Sequence, residues 1–340
     1  MRREAFFDNA KVVLIFFVVF GHVIQPLTVD SEAIQVLYYW IYFFHMPAFI
    51  LLSGFFAKGL GNKSYIKKLF KKLIVPYLSF HVLYTGYYLL LGMDGWQTSF
   101  IYPQWSLWFL LSLFCWHLLL IAFKKLPPIL SILIAVGIGI IVGYIDGIGH
   151  TLSLSRTFVF FPFFLGGYWL TKDHILRMKT LTVKVLSIPM MSLLALGLFL
   201  APTFSSGWLL ASHSYQTLDF PIMGGLIRLG IYLIAVLMTI SIFAWVPTKH
   251  HRFTSLGSQT LYVYLLHGLF IHFFRTTDLL KVSNLVDMVG IAVLSFGIVF
   301  VLSSKPVRML SQPLIEGKWT MVREKFGHRS GFKTKTKMSS

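Results

Sequence analysis

The chain has 340 residues, of which 56% are hydrophobic, 17% aromatic and only 12% charged, against roughly 25% charged in soluble domains. With a mean hydropathy of +0.73 and 33 Phe, it cannot be an ordinary soluble enzyme, a disordered chain or a fibrous protein, which leaves an all-α, polytopic membrane helix bundle. The lone cysteine, Cys115, excludes an intrachain disulfide framework and a multi-cysteine zinc site; no metal is predicted, and the net charge of +18 reflects topology rather than nucleic-acid binding.

A spanning helix needs about 20 mostly apolar residues. About ten such runs follow in chain order, at 10–28, 34–57, 74–92, 104–123, 128–146, 156–171, 181–201, 225–246, 259–275 and 285–304. Their loops alternate in charge. On one side lie Arg2, Arg3 and Lys11, the segment Lys58 to Lys72, Lys124 and Lys125, Lys172 to Lys184, Lys249 and Arg252, and the tail from Lys305, together 26 of the 30 Lys and Arg. The other side holds only Arg156, Arg228, Arg275 and Lys281, with seven of the twelve acids. The positive-inside rule therefore predicts a multi-pass protein of the cell membrane with both termini in the cytoplasm. The basic start and the apolar stretch Val12 to Ile24 resemble a signal peptide, but no A-x-A site follows, so this stretch is read as a retained first helix. Residues 1–319 form one membrane unit, and 320–340 a basic cytoplasmic tail suited to anionic membrane lipid at roughly 1 kcal/mol per cation.

Polar groups inside spans are costly and point to function or to a partner. His22, His45, His81, His117, His267 and His272 all fall within predicted helices. Eleven residues separate Lys11 from His22, three turns plus 20° at 100° per residue, so both share one face about 16 Å apart along the axis. A cation at a cleft mouth and an imidazole deep inside suit the phosphate end and the reacting end of one long ligand; a snorkelling anchor and a helix-contact histidine are the bland alternative. His45 lies at a similar depth in the second span, followed by Pro47, and by Ser53 and Gly54, which suit close helix packing. His267 falls half-way across the ninth span, and His272 near its outer end as an interfacial residue. The outer arginines Arg156, Arg228 and Arg275 suit pairing with Asp146, Asp219 and Asp278, or else an anionic acceptor. In NKSYIKKLFKKLIVPY, Lys67, Lys68, Lys71 and Lys72 cluster on one helical side, facing lipid headgroups or the phosphates of a donor.

These residues resemble the acyltransferase-3 family of integral membrane acyltransferases, in particular its fucose 4-O-acetylase-like branch. The likeness runs through D-N-A-K-(x10)-H from Asp8 to His22, FFHMPAFILLSGFFAKG from Phe43, WSLWFLLSL from Trp105, RTFVFFPFFLGGYWL from Arg156 and GSQTLYVYLLHGLF from Gly257. The family's basic-x10-His element corresponds to Lys11 and His22, with Lys where many members have Arg. The resemblance implies O-acyl transfer, with acetyl-CoA or another acyl-CoA entering from the cytosol and a glycan or lipid-linked sugar hydroxyl accepting outside. Some relatives carry an extracytoplasmic hydrolase-like domain that finishes the transfer, so the resemblance implies that the acyl group is delivered either directly or through a separate extracytoplasmic transferase as partner.

An alcohol needs a base to attack a thioester, and a neutral histidine can take its proton. His22 and Lys11 are therefore the catalytic candidates, Lys11, Lys68 and Lys72 the donor-binding ones, and His45, His267, Arg156 and Ser53 the supporting or acceptor-side set. An acyl-histidine relay is the alternative chemistry. The rival functions are a transporter or flippase of a lipid-linked glycan, and a non-catalytic assembly subunit.

Overall fold

The computed structural model describes residues 4–59, 63–93, 99–277, 279–318 and 320. Arg2, Arg3, Asp94, Asp278 and the tail beyond Thr320 lie outside the described residues. The chain runs through α1 (Ala5–Ile24), α2 (Glu32–Tyr42), α3 (His45–Phe55), α4 (Lys63–Leu90), α5 (Trp108–Phe123), α6 (Pro128–Ile141), α7 (Leu154–Trp169), α8 (Lys172–Met178), α9 (Leu181–Leu200), α10 (Gly207–Leu210), α11 (Gly224–Trp245), α12 (Thr260–Thr277), α13 (Leu285–Leu302) and α14 (Lys305–Glu316). Each of the ten predicted spans is helical. Seven stretches among the described residues are long and apolar enough to cross a membrane: 5–29, 32–58, 64–90, 105–123, 181–200, 224–245 and 285–302. The other three are shorter, as at Pro128–Tyr144 and in the 16-residue α7, or are diluted by His and Arg, as in α12. The protein is a multi-pass helical membrane protein.

Burial runs inside out relative to a soluble domain. α9 buries only Ser187 and turns Leu186, Leu193, Leu196 and Phe199 outward, and α13 does the same with Val286, Val289, Val293 and Phe300. Such apolar faces are stable against lipid, where backbone polar groups must be satisfied within the helix. α1, by contrast, has 15 of its 20 residues buried and packs against α2, α3, α12 and α13, which makes it the axis of the molecule.

Two features differ from the predicted spans. The second span is broken at Phe43 and Phe44: Pro47 has no N–H for the carbonyl of Phe43, so α2 stops and a new helix begins at His45. The third span begins at Lys63 rather than 74, because the basic stretch and the apolar stretch form one 28-residue helix with Pro76 inside it.

The tightest crossing joins α3 to α7. A Cβ on Gly54 would stand 2.0 Å from the carbonyl oxygen of Phe164, and one on Gly167 1.9 Å from that of Leu51, so backbone meets backbone where no side chain fits. At the lysine-rich end, Asn9 fastens α1 to the segment before α12. Its amide donates to the carbonyls of Pro247 (2.8 Å) and Lys249 (2.9 Å) and accepts from the Thr254 hydroxyl (2.6 Å). Gly257 presses against the Asp8 carbonyl in the same contact.

Candidate active site

A cavity of about 720 Å³ opens at the lysine-rich end, walled by α1, α3, α4, α5, α12 and α14. Lys11, Ser53, Lys68 and Lys72 all line it. Lys11 lies 3.5 Å from the Asp8 carboxylate and 4.5 Å over the Phe56 ring. The Ser53 hydroxyl donates to the Phe49 carbonyl at 2.9 Å, one turn back. Lys67, Lys68, Lys71 and Lys72 of α4 do not act as one cluster. At 100° per residue, 67 and 71 form one stripe and 68 and 72 the next; only the second faces the cavity, while Lys67 and Lys71 are exposed outside it. His117 and Glu316 also line the cavity; Glu316 accepts from the Tyr262 hydroxyl at 2.5 Å. The wall thus offers three ammonium groups and one carboxylate over an otherwise largely apolar surface.

Deeper in the bundle His22 and His45 line one chamber of about 40 Å³, together with Tyr42, Ser106, Trp108, Arg156 and Tyr264. The break before α3 makes this possible, because it starts a fresh helix with His45 at its first position. His22 Nδ1 lies 3.2 Å from the Tyr42 hydroxyl. In His45 and His267, Nδ1 sits 2.9 and 2.6 Å from the carbonyls of Ile41 and Tyr264. A carbonyl only accepts, so each Nδ1 carries the proton and the Nε2 of the neutral ring is left as a lone pair. That of His267 is buried with no hydrogen-bond partner among the described residues. In their neutral forms these rings present a base to the site, whereas an oxyanion needs a donor.

Trp105, which heads the WSLWFLLSL motif, is not among the candidate site residues read from sequence. Its indole packs on His22 (4.5 Å between ring centroids), His267 (5.1 Å) and His272 (4.7 Å), and the Arg275 guanidinium lies 5.6 Å over it. It holds a left-handed backbone, φ +38°, and a Cβ on Gly268 would meet its ring at 2.6 Å. Strained non-glycine residues of this kind gather at functional sites. His272, expected at the interface, is instead buried and 2.9 Å from the Tyr88 hydroxyl.

Two of the outer arginines do not pair as expected, and the third expectation, Arg275 with Asp278, falls outside the described residues. Among the described residues no ion pair joins Arg156 to Asp146 or Arg228 to Asp219. Arg156 donates to the carbonyl of Leu210 (3.1 Å) and Arg228 to that of Trp208 (2.7 Å), both in α10, while Arg275 donates to the Gln25 side-chain oxygen at 2.6 Å. Asp146 is taken by the Ser214 hydroxyl. The carbonyls at the end of a short helix accept from Arg156 and Arg228 without cancelling their charge, and the Arg228 Nε is buried with no hydrogen-bond partner among the described residues. On the loops nearby, burial and the Arg156 guanidinium hold both His150 and His213 below the usual imidazole range.

Residues 4–304 match the acyltransferase domain that defines a known protein family. The chain belongs to the acyltransferase-3 family. This acyltransferase is also similar to the nodulation protein NolL of Mesorhizobium japonicum, 26% identical over 348 residues that cover 92% of this chain and 88% of that protein. No solved structure matches it.

Proposed function

We propose that this acyltransferase moves a short acyl group, acetyl first among them, from cytosolic acyl-CoA to a hydroxyl of an extracytoplasmic glycan or lipid-linked sugar. One observation carries the reading: a single helix, α1, contributes Lys11 to the 720 Å³ cavity and His22 to the small chamber deeper in the bundle. The positive-inside charge pattern supports a cytoplasmic lysine-rich end, with the bacterial cytoplasmic membrane as the proposed location. The large cavity has the volume of a cofactor-sized site, of order 300–1,000 Å³, and its three lysines suit the phosphates of acyl-CoA.

In the chamber His22 acts as the base. In the tautomer that serves, the Nδ1–H donates to the Tyr42 oxygen and the Nε2 lone pair is left for the acceptor hydroxyl. As the sugar oxygen bonds to the acyl carbon, its proton passes to His22 and then to the departing thiolate, so the ring ends as it began. His45 and His267 position the reacting groups through lone pairs held on committed rings. Arg156, on the chamber wall, favours an acceptor that carries negative charge, such as a phosphate-linked sugar. A separate extracytoplasmic transferase is a further possible recipient of the acyl group.

The test uses sealed right-side-out vesicles loaded with radiolabelled acetyl-CoA. Label on external glycan supports acyl transfer. Passage of an unmodified lipid-linked glycan, with no label crossing from any acyl donor, would instead make the protein a transporter.

A further inference from the structure

The two cavities share one residue. Of the twenty described residues that wall the large cavity and the twelve that wall the His22 chamber, only Tyr264 belongs to both. It comes from α12, one turn before His267, and is buried. Its hydroxyl donates to the carbonyl of Ser106, on the turn that carries Trp105, and its ring packs on Phe109 at 5.4 Å. Ser106 and Trp108 line the chamber while Phe109 and Leu113 line the large cavity, so the start of α5 crosses the same level. A side chain held to one carbonyl by one hydrogen bond, with space on either side, is a wall that a rotation can open.

We propose that Tyr264 is the barrier between the two cavities: closed onto Ser106 it keeps the cytosolic cavity from the His22 chamber, and swung aside it admits the acyl-bearing arm of the donor. Tyr264 is therefore a positioning and specificity-determining residue. Closed, it denies cytosolic water a path to the reacting carbon. The space behind it, about 40 Å³, has room for about three waters or one acetyl-sized group, which limits the acyl groups that fit. This rests on reading the large cavity as the donor's, but the barrier itself is measured without any acyl donor.

The experiment is thiol accessibility in sealed inside-out vesicles, treated from the cytoplasmic face with a charged, membrane-impermeant methanethiosulfonate. Because Cys115 is the only cysteine, a Cys115→Ser background carries a single introduced thiol: Phe49→Cys in the large cavity or Met46→Cys in the chamber. With the open state a minor one, of about 10% or less, Met46→Cys should label at least about tenfold more slowly than Phe49→Cys. Tyr264→Phe, which keeps the ring and loses only the hold on Ser106, should speed Met46→Cys several-fold, and Tyr264→Ala by about tenfold, while Phe49→Cys labels equally in all. Met46→Cys labelling at one rate whatever stands at 264 would overturn the proposal, and the Tyr264→Phe arm decides it even if Tyr264→Ala does not fold. A gated chamber in a protein that transfers no acyl group would instead retire the donor reading and leave the barrier standing.

Discussion

Trp105 and His22 lie ring against ring, 4.5 Å apart, because Trp105 takes a left-handed backbone that a bulky residue normally avoids. Gly268 leaves the space for the indole. The strained turn fixes the plane of the proposed base, and small displacements of a catalytic group are costly. Trp105→Ala should lower kcat by about tenfold or more with little change in the donor KM, and Trp105→Phe should keep most of the rate. Steady-state kinetics with acetyl-CoA separates the two effects; a change confined to KM would place Trp105 in donor binding.

The two lysine stripes of α4 make a paired prediction. Lys68→Ala and Lys72→Ala should each raise the donor KM roughly fivefold, equivalent to about 1 kcal/mol for a partly exposed ion contact, and the effect should shrink in high salt. Lys67→Ala and Lys71→Ala should leave it unchanged, since neither faces the cavity. Donor titrations of the four variants check this directly.

Much of this was legible from sequence. The ten helical segments follow from hydropathy and charge alternation, because the bilayer imposes length and polarity on every span. The Lys11 and His22 spacing placed each on the wall of one of the two cavities because helical geometry is rigid over three turns. The roles of Trp105, Tyr42 and Tyr264 were not visible: they depend on which helices become neighbours, and an aromatic among 33 Phe and 15 Tyr carries no signal by type alone. The same holds for Arg156 and Arg228, whose partners are backbone carbonyls that no pattern of acids reveals. His272 was misplaced because depth along a helix does not tell which way a side chain faces.

The α3 and α7 crossing allows no side chain at two glycines. Gly167→Ala and Gly54→Ala should each cost about 1–3 kcal/mol of stability, because the backbones must move apart. Gly166→Ala, with nothing within 4 Å of its new Cβ, should be close to neutral and is the control. Thermal unfolding in detergent micelles reads all three.

Asn9 satisfies two carbonyls and one hydroxyl of the segment that precedes α12. Asn9→Ala should cost about 2–3 kcal/mol at roughly 1 kcal/mol per hydrogen bond. Asn9→Asp keeps the shape but faces the carbonyls of Pro247 and Lys249 with an acceptor, so it should be no milder. Because Gly257 and Ser258 line the large cavity just beyond, both variants should also weaken donor use; a variant destabilised as expected with an unchanged donor KM would show that the segment does not shape the cavity.

The most direct test of the account is the kinetic split between the two ends of α1. With acetyl-CoA as donor and isolated cell-envelope glycan as acceptor, His22→Ala should lower kcat by about 10²–10⁴-fold at an almost unchanged donor KM, the loss expected for a missing general base. Lys11→Ala should raise the donor KM while keeping kcat within a few-fold. Acyl transfer that persists in His22→Ala would contradict the central claim, that a donor held in the lysine-rich cavity reacts at His22.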